Sequence, residues 1–145
     1  MAFAGMNYLA VALAAIAAWL AGAAWYGALA KPWVAAQGKT MEAFKAEQQA
    51  MRGSPLAYAP FIIAFVAELV MAWMLAGVLG HLGPGQVTLR NGVITAFFLW
   101  LGFVVTTMAV NYAFGARKPM LFAIDAGHWL AVLVVEGAII GGMGV

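Results

Sequence analysis

Residues 119–145 read PMLFAIDAGHWLAVLVVEGAIIGGMGV, an apolar stretch long enough to cross a lipid bilayer as one helix. The stretch carries three ionisable side chains, Asp125, His128 and Glu136. Because ionisable groups are costly in hydrocarbon, these three require partners from the rest of the chain. Around a helix, Glu136 lies about 20° from Asp125, and His128 lies about 60° to the other side. The three side chains are therefore predicted to form one stripe that faces protein or water rather than lipid.

The composition places the chain among membrane proteins. Of its 145 residues, 66% are hydrophobic and only 8% are charged, whereas a soluble domain has about 25% charged residues. The absence of cysteine excludes disulfides, thiolate metal sites and cysteine nucleophiles. A net charge of only +2 gives no reason to expect a nucleic-acid partner, so the predicted partner is the lipid bilayer.

Four apolar runs predict an all-α fold, an integral membrane bundle of four transmembrane helices in a single transmembrane domain. The predicted spans cover residues 7–30, 56–79, 88–114 and 120–143. The first run resembles a signal peptide at Ala28-Leu29-Ala30, but no basic residue precedes Lys31, so we interpret it as a retained span. Pro32 is expected to break the helix that enters the first loop.

The long loop between the first two spans contains a candidate surface helix. Thr40 is a plausible N-cap for a helix that runs through Met51. Its larger apolar side chains fall along one side, which predicts a short amphipathic interfacial helix lying on the membrane. Docking of a partner protein is the alternative interpretation.

The basic residues predict the orientation of the chain. Six of the seven lie in the first and third loops, and only Arg90 lies on the other side. Because cytoplasmic loops carry an excess of Lys and Arg, both of these loops are expected in the cytoplasm. Both termini are then expected on the periplasmic or exterior side. The six residues are Lys31, Lys39, Lys45, Arg52, Arg117 and Lys118.

Polar residues of other spans are predicted to meet the stripe. Glu68 lies at the centre of the second span, the most expensive depth for a charge. Trp100, Thr107 and Asn111 are spaced by seven and four residues, which predicts that they stack on one face of the third span. The candidate intramembrane polar site therefore comprises Glu68, Thr107, Asn111, Asp125, His128 and Glu136.

The depths of the ionisable groups predict a discontinuous ladder across the membrane, in the order Asp125, His128, Glu68, Glu136. By helix rise, Asp125 lies roughly 7 Å and His128 roughly 12 Å inside the fourth span. Chains of carboxylates and histidine relay protons in membrane proteins, because histidine titrates near neutrality in water.

Each of these groups also has a purely structural interpretation. Glu68 can be a neutral acid that is hydrogen-bonded to a neighbouring helix. Arg117 or Lys118 can pair with Asp125. His128 can donate a hydrogen bond to Thr107 or to a carbonyl group.

Metal and catalytic chemistry have weaker support in the sequence. One histidine in the fourth span, without a second suitably placed, predicts no metal centre, and no cofactor is predicted. The chain has no GxSxG, HExxH or P-loop motif, so no catalytic residue and no enzymatic activity are predicted. A lipid- or quinone-modifying enzyme that uses the same acids remains a third alternative.

Several short motifs resemble the bacterial membrane family called domain of unknown function 1761. They are residues 7–11 (NYLAV), 22–27 (GAAWYG), 100–103 (WLGF), 114–119 (FGARKP), 125–128 (DAGH) and 136–139 (EGAI). The likeness covers nearly the whole chain, although residues 28–32 (ALAKP) depart from the proline-containing turn that family members often have. The resemblance implies a four-helix protein of the bacterial inner (cytoplasmic) membrane and implies no activity.

Two functional hypotheses follow. The first is a non-enzymatic helix-packing or accessory membrane protein, whose polar stripe holds helices or subunits together. The alternative is proton- or cation-coupled transport of a small solute along the stripe. Faces of small residues at Ala72/Ala76/Gly80 and Gly137/Gly141 add the expectation of a homo-oligomer or a larger membrane complex.

Overall fold

The computed structural model describes residues 5–145, which form helices and no strand. The all-α fold class is therefore confirmed for this part of the chain. The helices are α1 (Tyr8–Ala28), α2 (Ala30–Ala36), α3 (Met41–Ala50), α4 (Ala59–Gly80), α5 (Leu89–Leu99), α6 (Thr106–Phe114) and α7 (Pro119–Met143), with a 3₁₀ turn at Pro55–Ala57 and a π-helical segment at Trp100–Val105.

Four helices are long and apolar enough to cross a membrane, namely Tyr8–Ala28, Ala59–Gly80, Leu89–Phe114 and Pro119–Met143. The third joins α5, the π-helical segment and α6 without interruption. The predicted Thr88 cap is used, because its hydroxyl accepts a hydrogen bond from the Asn91 backbone N–H. The largest difference from the predicted bounds is at α4, which begins at Ala59 instead of residue 56. We refer to these four helices as the spans.

The fourth span, α7, is the central helix of the bundle, because it packs against α1, α4 and α5. Glycines set the closest of these contacts. A Cβ placed on Gly137 would lie 2.9 Å from the Ala96 Cβ and nearer still to the Gly92 carbonyl oxygen. The α5 and α7 backbones therefore touch directly, and no other residue fits at this crossing.

The small-residue faces are buried inside the bundle. Ala14 and Ala18 of α1 are fully buried, as are Ala72 and Ala76 of α4. Gly137 and Gly141 lie against α5. The expectation of a homo-oligomer therefore stays a prediction, and these faces no longer support it, because they already pack within one chain.

The connection between the first two spans forms two short helices. The surface helix is observed as α3, and Thr40 caps it by accepting a hydrogen bond from the Ala43 N–H. The helix is broken as expected from Pro32, and the break falls at Leu29, because a proline cannot bond to the carbonyl group four residues before it, here that of Ala28, and clashes with it. Pro32 lies in the first turn of α2, where a missing N–H costs no hydrogen bond. The break redirects the chain and brings Trp33 back towards α7.

The two ends of the bundle differ in charge. At one end, the Asn7 side-chain amide donates to the Met143 carbonyl oxygen over 3.4 Å, which places the start of α1 beside the end of α7. We call this the terminal end. The opposite end carries the loops with six of the seven basic residues, and we call it the cationic end.

Candidate intramembrane polar site

The stripe on α7 faces the interior of the bundle. His128, Val132 and Glu136 follow one another at intervals of four residues, and all three are buried. Asp125 lies one turn nearer the cationic end and is half-buried. The polar groups of α7 thus form two separate sets. Asp125 and His128 lie near the cationic end, and Glu136 lies nearer the terminal end.

Near the cationic end, three aromatic side chains donate hydrogen bonds to Asp125. The Tyr26 hydroxyl and the Trp33 indole N–H donate to its Oδ1 over 2.8 and 3.1 Å. The Tyr112 hydroxyl donates to its Oδ2 over 2.5 Å. We call Asp125, Tyr26, Trp33 and Tyr112 the Asp125 cluster. It ties α1, α2 and α6 to the fourth span.

Local structure explains why these donors converge. Tyr26 lies in the last turn of α1, and Tyr112 lies in the last turn of α6. Both turns are at the cationic end, so the two hydroxyls reach inward at the depth of Asp125. Trp33 arrives from outside the spans, on the redirected helix α2.

The expected ion pair between Asp125 and Arg117 or Lys118 is not formed. Lys118 instead donates to the Ala35 carbonyl oxygen over 3.2 Å. The carboxyl group is satisfied by three neutral donors, and among residues 5–145 no cationic side chain is paired with it. The cluster therefore supplies hydrogen bonds to Asp125 without neutralising its charge.

His128 lies beside the Asp125 cluster. Its ring stacks on Tyr26 with 4.7 Å between the ring centroids. Its Nε2 lies so close to Gly22 that an added Cβ there would be 2.6 Å away. Its Nδ1 is buried and has no hydrogen-bond partner within the described chain. The expected hydrogen bond to Thr107 is absent, since Thr107 is exposed.

Two tryptophans hold α7 from either side at the same level. The Trp25 indole N–H donates to the Ile124 carbonyl oxygen over 3.1 Å, and Trp100 donates to Ala126 over 2.8 Å. Gly127 makes room for Trp25, since a Cβ there would lie 2.7 Å from the indole ring. These contacts fix the position of α7 around Asp125 and His128.

Deeper in the bundle, Glu68 of α4 and Glu136 of α7 are 1% and 0% exposed. The two carboxyl groups are close enough to interact electrostatically. Glu68 Oε2 and both carboxyl oxygens of Glu136 have no hydrogen-bond partner among the described residues. Most buried polar groups in proteins are hydrogen-bonded, so this arrangement is exceptional. We call these two residues the acid pair.

The two sets of polar groups are not continuous. Val132 is fully buried and lies on α7 midway between His128 and Glu136. On α7 itself, the predicted ladder is therefore interrupted by an apolar side chain. In this conformation, no line of polar groups on α7 connects the Asp125 cluster to the acid pair.

Thr107 and Asn111 lie outside the site. Trp100 points to α7, whereas Thr107 and Asn111 are exposed on the outer side of the third span. The π-helical segment at Trp100–Val105 lies between them. A π-helical turn holds more residues than an α-helical turn, so it rotates everything after it relative to α-helical spacing. The predicted common face is lost for this reason.

Sequence reasoning missed the hydrogen-bond donors of Asp125. In the sequence, Tyr26, Trp33 and Tyr112 do not stand out as partners of Asp125. A usable signal was present, because both tyrosines fall in the last turn of a span at the same end as Asp125. For a metal, the described residues contain no group of three or more His, Asp or Glu that could hold an ion.

With this geometry in place, comparison with known proteins identifies the family. Residues 9–141 match the family described as a protein of unknown function, DUF1761. The chain belongs to the DUF1761 family. No curated protein and no solved structure matches the chain. The DUF1761 match includes both the Asp125 cluster and the acid pair, and the family's description assigns no activity.

Proposed function

We propose that this membrane protein moves a small solute in exchange for protons or cations, with the acid pair as the group that carries the proton. The observation that supports this proposal is the burial of Glu68 and Glu136, three of whose carboxyl oxygens have no hydrogen-bond partner within residues 5–145. Leaving a buried polar group unsatisfied costs about 1–3 kcal/mol, so side chains kept only as glue between helices would be expected to form the bonds.

The chemistry of the pair follows from its surroundings. Two neighbouring carboxylates without a counter-ion are too costly in an apolar interior for both to be charged. At least one proton therefore stays on the pair while the bundle is closed. When water or a cation reaches the pair, the proton leaves and the cation takes its place as the compensating charge. Reversal of this exchange on the other side returns the proton.

The position of Val132 favours a carrier over a channel. An uninterrupted polar line would favour a passive proton channel, but this apolar side chain separates His128 from Glu136. Protons pass from one set to the other only after packing around Val132 changes. A carrier that alternates between conformations fits this arrangement better than an open pore.

The proposed setting is the inner (cytoplasmic) membrane, with the cationic end in the cytoplasm and both termini outside. The excess of Lys and Arg in the first and third loops supports this orientation. Labelling of a single cysteine introduced at Lys39 or at His81 tests it. A membrane-impermeant reagent added to intact cells is expected to modify only the cysteine at position 81, and modification only at position 39 would reverse the orientation.

Infrared spectroscopy tests the protonated acid pair directly. The wild-type protein in liposomes at neutral pH is expected to show the carbonyl band of a neutral carboxylic acid. A double Glu68→Gln/Glu136→Gln variant should lose that band, whereas the exposed acid variant Glu47→Gln should retain it. A wild-type spectrum without the band would mean that the pair holds no proton, and the proposal would fail.

The second candidate is a non-enzymatic accessory protein, and the exposure of the third span favours it. Within the third span, Leu89–Phe114, Gly92 and Ala96 are the only buried residues. The span also contains a π-helical segment, and such segments frequently occur at functional sites. Purification in mild detergent tests this candidate. A defined partner that is lost when Phe103 is replaced by alanine would support it, and a protein that purifies alone would not. Neither candidate is an enzyme.

A further inference from the structure

The Asp125 carboxyl group accepts three hydrogen bonds and forms no ion pair with any of the described residues. Both carboxyl oxygens accept hydrogen bonds, and one of the donors, the Trp33 indole, can only donate. Three donors around two oxygens suit a carboxylate, which only accepts hydrogen bonds. Arg117 is exposed and near enough to Tyr112 to interact electrostatically, but it forms no ion pair with Asp125.

Aromatic side chains lie around the Asp125 carboxyl group. The Tyr26 ring lies 5.2 Å from the Trp33 ring and 4.7 Å from that of His128, measured between centroids. The Trp33 ring packs edge-on against Phe44 at 5.8 Å. A carboxylate beside aromatic rings is a combination that attracts a positively charged ammonium group, through charge and through cation–π contacts.

One donor of the cluster lies on a helix outside the spans. Trp33 belongs to α2, a helix of seven residues that the break at Leu29 separates from the first span. Displacing this helix removes one donor from Asp125 Oδ1 and opens the carboxylate, while Tyr26 and Tyr112 stay on their spans. Asp125 is already partly exposed.

We infer that the Asp125 cluster is a binding site for a small organic cation with an ammonium or quaternary ammonium group. The cation lies against the Asp125 carboxylate, takes the place of the Trp33 N–H, and is enclosed by the rings of Tyr26, Tyr112 and His128. This inference deepens the proposed function by naming its solute class and depends on it for the coupled movement. Binding itself involves residues other than the acid pair.

Calorimetry on the purified protein in detergent tests the site, with choline and its uncharged isostere 3,3-dimethylbutan-1-ol as probes. Choline is expected to bind at least about tenfold more tightly than the alcohol, since only the charge differs between them. Asp125→Asn, which keeps the shape of the side chain, should weaken choline binding by about tenfold or more. Equal binding of the two probes, no binding of choline, or unchanged choline affinity in folded Asp125→Asn would overturn the site.

Two further variants keep the result interpretable. Trp33→Ala removes the N–H that the cation has to displace from Asp125 Oδ1, so it should tighten choline binding. It changes only the short helix outside the spans, so binding can be measured even where Asp125→Asn fails to fold. Unchanged affinity in Trp33→Ala would then count against the site. Glu47→Gln removes an exposed acid at the same end and should bind choline as the wild type does.

The acid-pair variants separate the two proposals. Glu68→Gln and Glu136→Gln are expected to bind choline normally, because neither residue belongs to the cluster. Normal choline binding together with absent proton movement would contradict the proposed function and leave the cation site intact. Proton movement without choline binding would contradict the cation site alone.

Discussion

Glu68 of α4 and Glu136 of α7 bring two carboxyl groups from separate spans into the fully buried interior, close enough to interact electrostatically. Three of their oxygen atoms have no hydrogen-bond partner among the described residues. Apolar side chains of similar volume at these two positions would stabilise the bundle at least as well. The relationship between these two residues therefore links the fold to the proposed function.

Replacing the acid pair is expected to stabilise the protein. Glu136→Leu removes two unsatisfied buried oxygens, and the gain should be about 1–3 kcal/mol, the cost of an unsatisfied polar group. Thermal unfolding in detergent measures it, with Glu47→Leu on the exposed face of α3 as the control. A large loss of stability in Glu136→Leu would mean that the carboxyl group has structural partners after all.

Replacing the apolar side chain between His128 and Glu136 with a polar one is expected to increase proton leakage. Val132→Ser keeps the side chain small and adds a hydroxyl that can hold water between His128 and Glu136. Passive proton entry into liposomes should rise, and the matched control Val110→Ser, on the exposed side of the third span, should leave it unchanged. Equal leakage in both variants would remove Val132 from the mechanism.

The hydrogen bonds to Asp125 are expected to stabilise the cationic end. Tyr112→Phe removes one bond to a charged group, which should cost about 1.5–3 kcal/mol. The same change at Tyr58, which is 63% exposed, serves as the control. Thermal unfolding compares the two variants. A Tyr112→Phe protein as stable as Tyr58→Phe would contradict the strong hydrogen bond assigned to Asp125.

The contact between α5 and α7 is expected to tolerate no side chain at its centre. Gly137→Ala places a Cβ against the Gly92 backbone and should cost about 1–3 kcal/mol through overpacking. Gly102→Ala, where an added Cβ meets nothing within 4 Å, should be neutral or slightly stabilising. Comparable thermal unfolding of both variants would contradict the direct backbone contact.

The spans were predictable from the sequence because each depends on local features. Long apolar runs fix their number, and caps such as Thr40 and Thr88 fix helix ends to within a residue. The inward stripe of His128 and Glu136 was predictable for the same reason, since helical spacing alone places them on one face.

The partners across helices were not predictable in this way. Tyr26 and Asp125 are 99 residues apart, and their contact depends on how α1 and α7 are rotated against each other. Glycines such as Gly22 and Gly127 permit that rotation, but their role appears only when the opposing side chain is known. The π-helical segment is likewise absent from the hydrophobic pattern, so Thr107 and Asn111 were assigned to the wrong face.

Proton uptake by liposomes is the most direct test of the claim that the acid pair carries protons. Purified wild-type protein, Glu68→Gln, Glu136→Gln and the exposed control Glu47→Gln are reconstituted at equal density. A proton gradient is applied with choline on one side, and internal pH is followed with a trapped dye. The account predicts choline-dependent proton movement in the wild type and in Glu47→Gln, and its loss in both acid-pair variants. Movement that persists in Glu68→Gln and Glu136→Gln would contradict it.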